Sequence, residues 1–194
     1  MGAVTGGGLF DYKSNVQIEA TAKTGYHFVG WSDQNQENPR TINVPLNGIE
    51  LKAIFDYNEY NITVLSADEK MGGVSGTGVY KFKSEVEIAT LPIEGYHFVA
   101  WNDENQESPR KVVVGAEDKT YTATFAPNQY MVSAEAADAE MGSVTGGGLF
   151  DYKSDVQIEA TANTGYHFVG WSDQSTENPR TINVSTSNHS GCAM

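Results

Sequence analysis

Cysteine is nearly absent. The 194 residues hold one, Cys192, which can close no internal disulfide and supplies no thiolate set for a metal. The fold must therefore stand without disulfide or thiolate–metal staples. Positive charge is also scarce, with 12 Lys and Arg against 25 Asp and Glu and a formal net charge of −13. A field of that sign repels phosphate backbones and anionic lipid headgroups, so no nucleic-acid partner is expected. No run approaches the roughly 18 consecutive apolar residues of a membrane span, so no membrane insertion is expected. The start, Met1-Gly2-Ala3-Val4-Thr5-Gly6, lacks the basic and apolar regions of a signal peptide. A soluble chain is expected. What is present suffices for a core, since 39% of residues are hydrophobic and 11% aromatic, while a mean hydropathy of −0.40 implies a well-hydrated surface.

Self-comparison decides the organisation. The heptapeptide Gly25-Tyr26-His27-Phe28-Val29-Gly30-Trp31 recurs at residues 95–101 and 165–171, a period of 70 without insertion or deletion. Residues 2–44 and 142–184 differ at five of 43 positions, and residues 72–114 match the first copy at 21. Aligned this way, the units are a first repeat over 1–57 lacking its first strand, a complete repeat over 58–127, and a third over 128–184 lacking its last strand. Residues 185–194 match nothing in the other copies and are expected to be a disordered tail.

Within one unit the apolar pattern has period two. Val86 and Ile88 alternate with Glu85 and Glu87, Val16 and Ile18 with Asn15 and Gln17, and Tyr121, Ala123 and Phe125 with Thr120, Thr122 and Thr124. Such strands bury one face and wet the other. The glycine-rich stretches at 6–8, 76–78 and 146–148 read as hairpin turns, each splitting the segment after a methionine into two short strands. Only residues 134–141 lean toward helix. The reading is all-β: small antiparallel modules of about 70 residues in series, six or seven strands each, joined by short links at 56–59 and 127–129 that should restrict bending.

The Gly-Tyr-x-Phe-x-Gly-Trp core is followed by Ser-Asp and Asn-Pro-Arg, preceded by Val-x-Ile-x-Ala and closed by Ala-x-Phe. In this it resembles the divergent internalin B-repeat family, related to the Listeria-Bacteroides repeat of bacterial surface proteins. The middle copy departs with Ala100, Asn102 and Ser108. The resemblance implies an extracellular or cell-surface, non-enzymatic stalk or adhesive module. It also implies a compact fold similar to the β-grasp, the α+β alternative to an all-β module, although no amphipathic helix is evident in the sequence.

Tyr26, Phe28 and Trp31, with their equivalents, read as core, because a unit this small needs large rings. The competing role is a sugar-stacking platform. His27, His97 and His167 recur singly, without a ligand spacing, and read as outward strand residues; no metal or cofactor is expected. The most polar repeated patch is the loop with Asp33, Glu37 and Arg40, repeated as Asp103, Glu107 and Arg110 and as Asp173, Glu177 and Arg180. These residues either hold a turn together or form an interaction loop for a glycan or a host or cell-surface protein. No catalytic constellation emerges, so no enzyme is expected. The incomplete outer repeats should expose unpaired backbone, which gives them a means of self-association.

Overall fold

The computed structural model of the chain describes residues 1–186 and the backbone of His189–Ala193. Every helix or strand among the described residues is a strand. The first repeat holds β1 (Gly2–Thr5), β2 (Asn15–Ala22), β3 (Tyr26–Trp31), β4 (Arg40–Asn43) and β5 (Ala53–Tyr57). The middle repeat holds β6 (Glu59–Ser66), β7 (Gly72–Ser75), β8 (Gly78–Lys81), β9 (Glu85–Pro92), β10 (Tyr96–Trp101), β11 (Arg110–Val113) and β12 (Lys119–Pro127). The third holds β13 (Gln129–Ala136), β14 (Gly142–Thr145), β15 (Gly148–Asp151), β16 (Asp155–Ala162), β17 (Arg180–Asn183) and β18 (His189–Ala193).

Each repeat builds two sheets. One is β1-β2-β4, β7-β9-β11 or β14-β16-β17; the other is β3-β5, β10-β12-β6-β8 or β15-β13-β18. By compactness the chain divides into two units, residues 1–65 with 75–89 and 108–121, and residues 66–74 with 90–107 and 122–194. In the first unit Ile18, Ala20 and Trp31 are buried together with half-buried Phe28, Ile42 and Phe55 packed on them. In the second, Val132 of β13 meets Val156, Ile158 and Ala160 of β16 around Trp171. The alternation in the sequence is thus the inward face of each strand, and the motif tryptophans, at 1%, 2% and 0% exposure, are core.

The glycine-rich segments are not hairpin turns. In the third repeat β14 pairs antiparallel with β16 and β15 with β13, so residues 146–147 carry the chain from one sheet to the other. Gly146 has φ +97°, and a Cβ there would run into the Gln157 carbonyl. The glycine is needed for a crossing at close approach to a neighbouring strand. The helix-leaning 134–141 is also corrected: β13 runs to Ala136, and the chain then turns on Asp138, whose Oδ1 accepts the Glu140 N–H at 2.8 Å.

Expected disorder in the tail does not extend to residues 189–193. Their backbone forms β18, parallel to β13 with Val132 opposite His189 and Ala136 opposite Ala193. At the repeat offset of 70, these residues fall on 119–123 of β12, the last strand of the middle repeat. Ser187, Asn188 and Met194 of the expected tail lie outside the described residues.

Candidate functional site

The loop between β3 and β4 is held from inside. Gln34 takes φ +68° and donates its N–H to Trp31 O at 2.9 Å, while Trp31 N–H donates to Asn35 O at 2.7 Å. The indole N–H of Trp31 donates to Glu37 O at 3.0 Å. Asn38, before a cis Pro39, clamps the neighbouring strand: its Nδ2 donates to Ala20 O at 2.7 Å and its Oδ1 accepts Ala20 N–H at 2.8 Å. Arg40 donates from both terminal nitrogens to the two oxygens of Asp33, each at 2.8 Å, and its guanidinium lies 5.9 Å from the Trp31 ring centroid. Of the loop residues singled out from sequence, Asp33 and Arg40 are therefore joined to each other, and Glu37 contributes its backbone carbonyl.

The third repeat builds the same loop. Arg180 donates to Asp173 at 2.7 Å, Trp171 to Glu177 O at 2.9 Å, and Asn178 holds Ala160 by both its amide atoms. Ser175 replaces Asn35 and still accepts the Glu177 N–H, at 3.4 Å. In the middle repeat Trp101 donates to Glu107 O at 2.9 Å, Asp103 accepts Asn105 N–H, and buried Arg110 lies 5.0 Å from the Tyr121 ring. The histidines do not converge: among the described residues there is no group of three or more His, Cys, Asp or Glu able to hold a metal.

Arg180 beside it holds the Asp173 carboxyl down at about 2, and Arg40 lowers Asp33 in the same way. The folded value lies below the unfolded one. The pair's contribution is thus complete above the ordinary carboxylate range and is lost as pH falls from about 3.8 toward about 2. A carbon-detected NMR titration is expected to show the Asp173 carboxyl still ionised at pH 3. An inflection near 3.8 would remove the pair from solution.

A second repeated constellation, which the sequence reading missed, sits at the links. Asn58 donates its N–H to Gly25 O at 2.9 Å and accepts the Phe82 N–H at its carbonyl at 2.8 Å, while the Nδ1–H of His27 donates to Asn58 Oδ1 at 2.9 Å. The Phe82 ring stands edge-on to Tyr26 at 5.5 Å, with Lys83 Nζ 5.7 Å from the Tyr26 ring. The next link repeats this. Asn128 donates to Gly95 O and accepts from Tyr152 N–H, both at 2.8 Å, and His97 donates to Asn128 at 2.8 Å. Tyr152 packs edge-on to Tyr96 at 5.3 Å, with Lys153 5.7 Å from that ring. Lys83 and Lys153 both have positive φ, 68° and 64°. The available signal was the recurrence, at the same 70-residue offset, of one Asn in each link and one Lys after each aromatic.

Three stretches of the chain, residues 1–59, 61–129 and 130–191, match the family model described as the divergent InlB B-repeat domain. No curated protein and no solved structure matches the chain.

Proposed function

The chain belongs to the divergent InlB B-repeat family, and from that membership we propose that it is a non-enzymatic spacer segment of a bacterial cell-surface protein, its repeats joined stiffly. The observation that carries this reading is the doubly built joint. Two links with different sequences, Tyr57-Asn58-Glu59 and Pro127-Asn128-Gln129, place the same Asn, the same His and an aromatic ring of the following repeat in the same contacts. A joint made of two backbone bonds, a side-chain bond and a ring contact resists bending in a way that a bare three-residue link does not. Near-identical copies then lengthen the segment without a new fold. An adhesive role through the loops of Asp33, Arg40 and their equivalents has less support, because those side chains are engaged within their own loops.

The test is a distance distribution by electron spin resonance between labels at Glu19 and Glu85, in a chain whose native cysteine is replaced by Cys192→Ser. A narrow distribution is expected. Asn58→Gly removes the His27 bond and loosens the link, at roughly 0.5–1.5 kcal/mol, and should broaden it. A broad distribution already present in the unaltered chain would defeat the stiff-spacer reading.

A further inference from the structure

The turn after β4 sets an asparagine and a glycine together in the open. Val44 is still held to its neighbours: its N–H donates to Ser14 O at 2.9 Å, and its carbonyl accepts the Lys13 N–H at 2.9 Å. Pro45, Leu46, Asn47 and Gly48 then reverse the chain, closed by one bond from the Gly48 N–H to Pro45 O at 3.1 Å. All four residues are exposed, Leu46 at 77%. Gly48 takes φ +69°, and a Cβ there would meet nothing within 4 Å.

Asn-Gly occurs once in the 194 residues. The other asparagines of the first repeat are engaged. Asn15 Oδ1 accepts from Asn43 Nδ2 at 3.1 Å, and Asn43 Nδ2 also donates to Lys13 O at 3.0 Å. Asn35 Oδ1 accepts the Glu37 N–H at 2.8 Å, and Asn38 grips Ala20 by both amide atoms. The residue after each of them also obstructs: Val16, Gln36 and Val44 crowd the backbone nitrogen with a side chain, and Pro39 has no N–H to lose. Asn47 has neither restraint. Its amide has no hydrogen-bond partner among the described residues, and the nitrogen beyond it belongs to a glycine.

We propose that Asn47 is a site of spontaneous conversion to isoaspartate and aspartate, with water as the co-reactant. The Gly48 nitrogen gives its proton to solvent base, and its electron pair attacks Asn47 Cγ. The new N–Cγ bond closes a five-membered succinimide as the Cγ–Nδ2 bond breaks, and ammonia leaves with a proton returned from solvent. Water then opens the ring. Breaking the N–Cγ bond restores the chain as aspartate; breaking the original peptide bond leaves isoaspartate, with the chain running through Cβ and Cγ. The Gly48 nitrogen must first leave Pro45 O, and one exposed hydrogen bond slows that step only several-fold.

The product puts a carboxylate where the middle repeat already has one, because Asn47 stands at the repeat position of Glu117. Isoaspartate also adds a methylene to the main chain inside the turn, which breaks the closing bond at Pro45. The change stays local, since Val44 is anchored on both sides before the turn begins.

The test incubates the full chain at pH 6 and at pH 8, digests it in acid and maps the peptides by mass spectrometry, with electron-transfer fragmentation to tell isoaspartate from aspartate. Asn47 is expected to lose its amide several-fold faster than any other asparagine of residues 1–57, faster at pH 8 than at pH 6, with isoaspartate in excess. Asn47→Gln keeps an exposed amide in the same turn but would have to close a six-membered ring, so loss at this position should nearly cease. Aspartate without isoaspartate, a rate unchanged by Asn47→Gln, or earlier loss at Asn35 or Asn43 would overturn the proposal. None of these readouts involves Asn58 or its joint, so the spacer reading stands or falls separately.

Discussion

Trp101→Ala is expected to destabilise the middle repeat by about 3–5 kcal/mol, a large part of the roughly 5–15 kcal/mol that holds an ordinary domain folded. Two losses combine. The ring, at 2% exposure, packs 5.3 Å from Phe98, which in turn lies 6.1 Å from Phe125, so its removal opens a cavity where the aromatics of β10 and β12 meet. The indole N–H also holds the Glu107 carbonyl at 2.9 Å, and without it the loop before β11 loses its attachment to the core. Trp101→Phe separates the two: it keeps most of the ring and forfeits the hydrogen bond, at about 0.5–1.5 kcal/mol. Urea unfolding followed by circular dichroism measures both, and a cost below about 1 kcal/mol for the alanine variant would show that the ring is not the centre of the core. A sugar-stacking role would predict the opposite pattern, with stability little changed.

The sequence made the repeat, the strand alternation and the buried tryptophans legible, because each depends on period and side-chain type alone. Pairing was not legible, and two identical segments show why. Gly-Leu-Phe-Asp is β15 beside β13 in the third repeat and irregular at residues 8–11 in the first, where no strand among the described residues pairs with it. Conversely, Tyr-His-Phe-Val-Gly-Trp is β3 beside β5 in the first repeat, while residues 166–170 form no strand. Strand formation here is a property of the partner as much as of the peptide. The glycine crossings look like hairpins in the sequence for a related reason: positive φ announces a reversal without saying which sheet receives the next strand. The tail at 189–193 could not be matched by residue identity, since main-chain pairing in the lane of a last strand needs no particular side chains. At the candidate sites, the spacing of Asp33, Glu37 and Arg40 was visible, but the bidentate bond that turns Asp33 and Arg40 toward each other was one of two readings. The joint went unseen because a lone Asn in a link looks like an ordinary turn residue.

Gly95→Val should break the second joint, and Gly165→Val should show how much of the effect belongs to the joint. Both glycines hold nearly the same backbone conformation, φ +88° and +91°, where a side chain costs about 1–2 kcal/mol through its clash with the main chain. That cost falls on the turn before β10 in one case and on its counterpart in the third repeat in the other. The surroundings differ. A Cβ on Gly95 would run into the Tyr152 ring, as one on Gly25 would run into Phe82, whereas at Gly165 there is nothing within 4 Å. Gly95→Val must therefore also displace Tyr152 from its seat against Tyr96, a further cost of about 1–3 kcal/mol if the ring is held there. The observable is local as well as global: the Tyr152 amide, which donates to Asn128 O, should exchange faster in Gly95→Val and be unaffected in Gly165→Val. If the two variants cost the same and Tyr152 stays protected in both, the ring yields without resistance, and the link at Asn128 is no stiffer than its three residues would be alone.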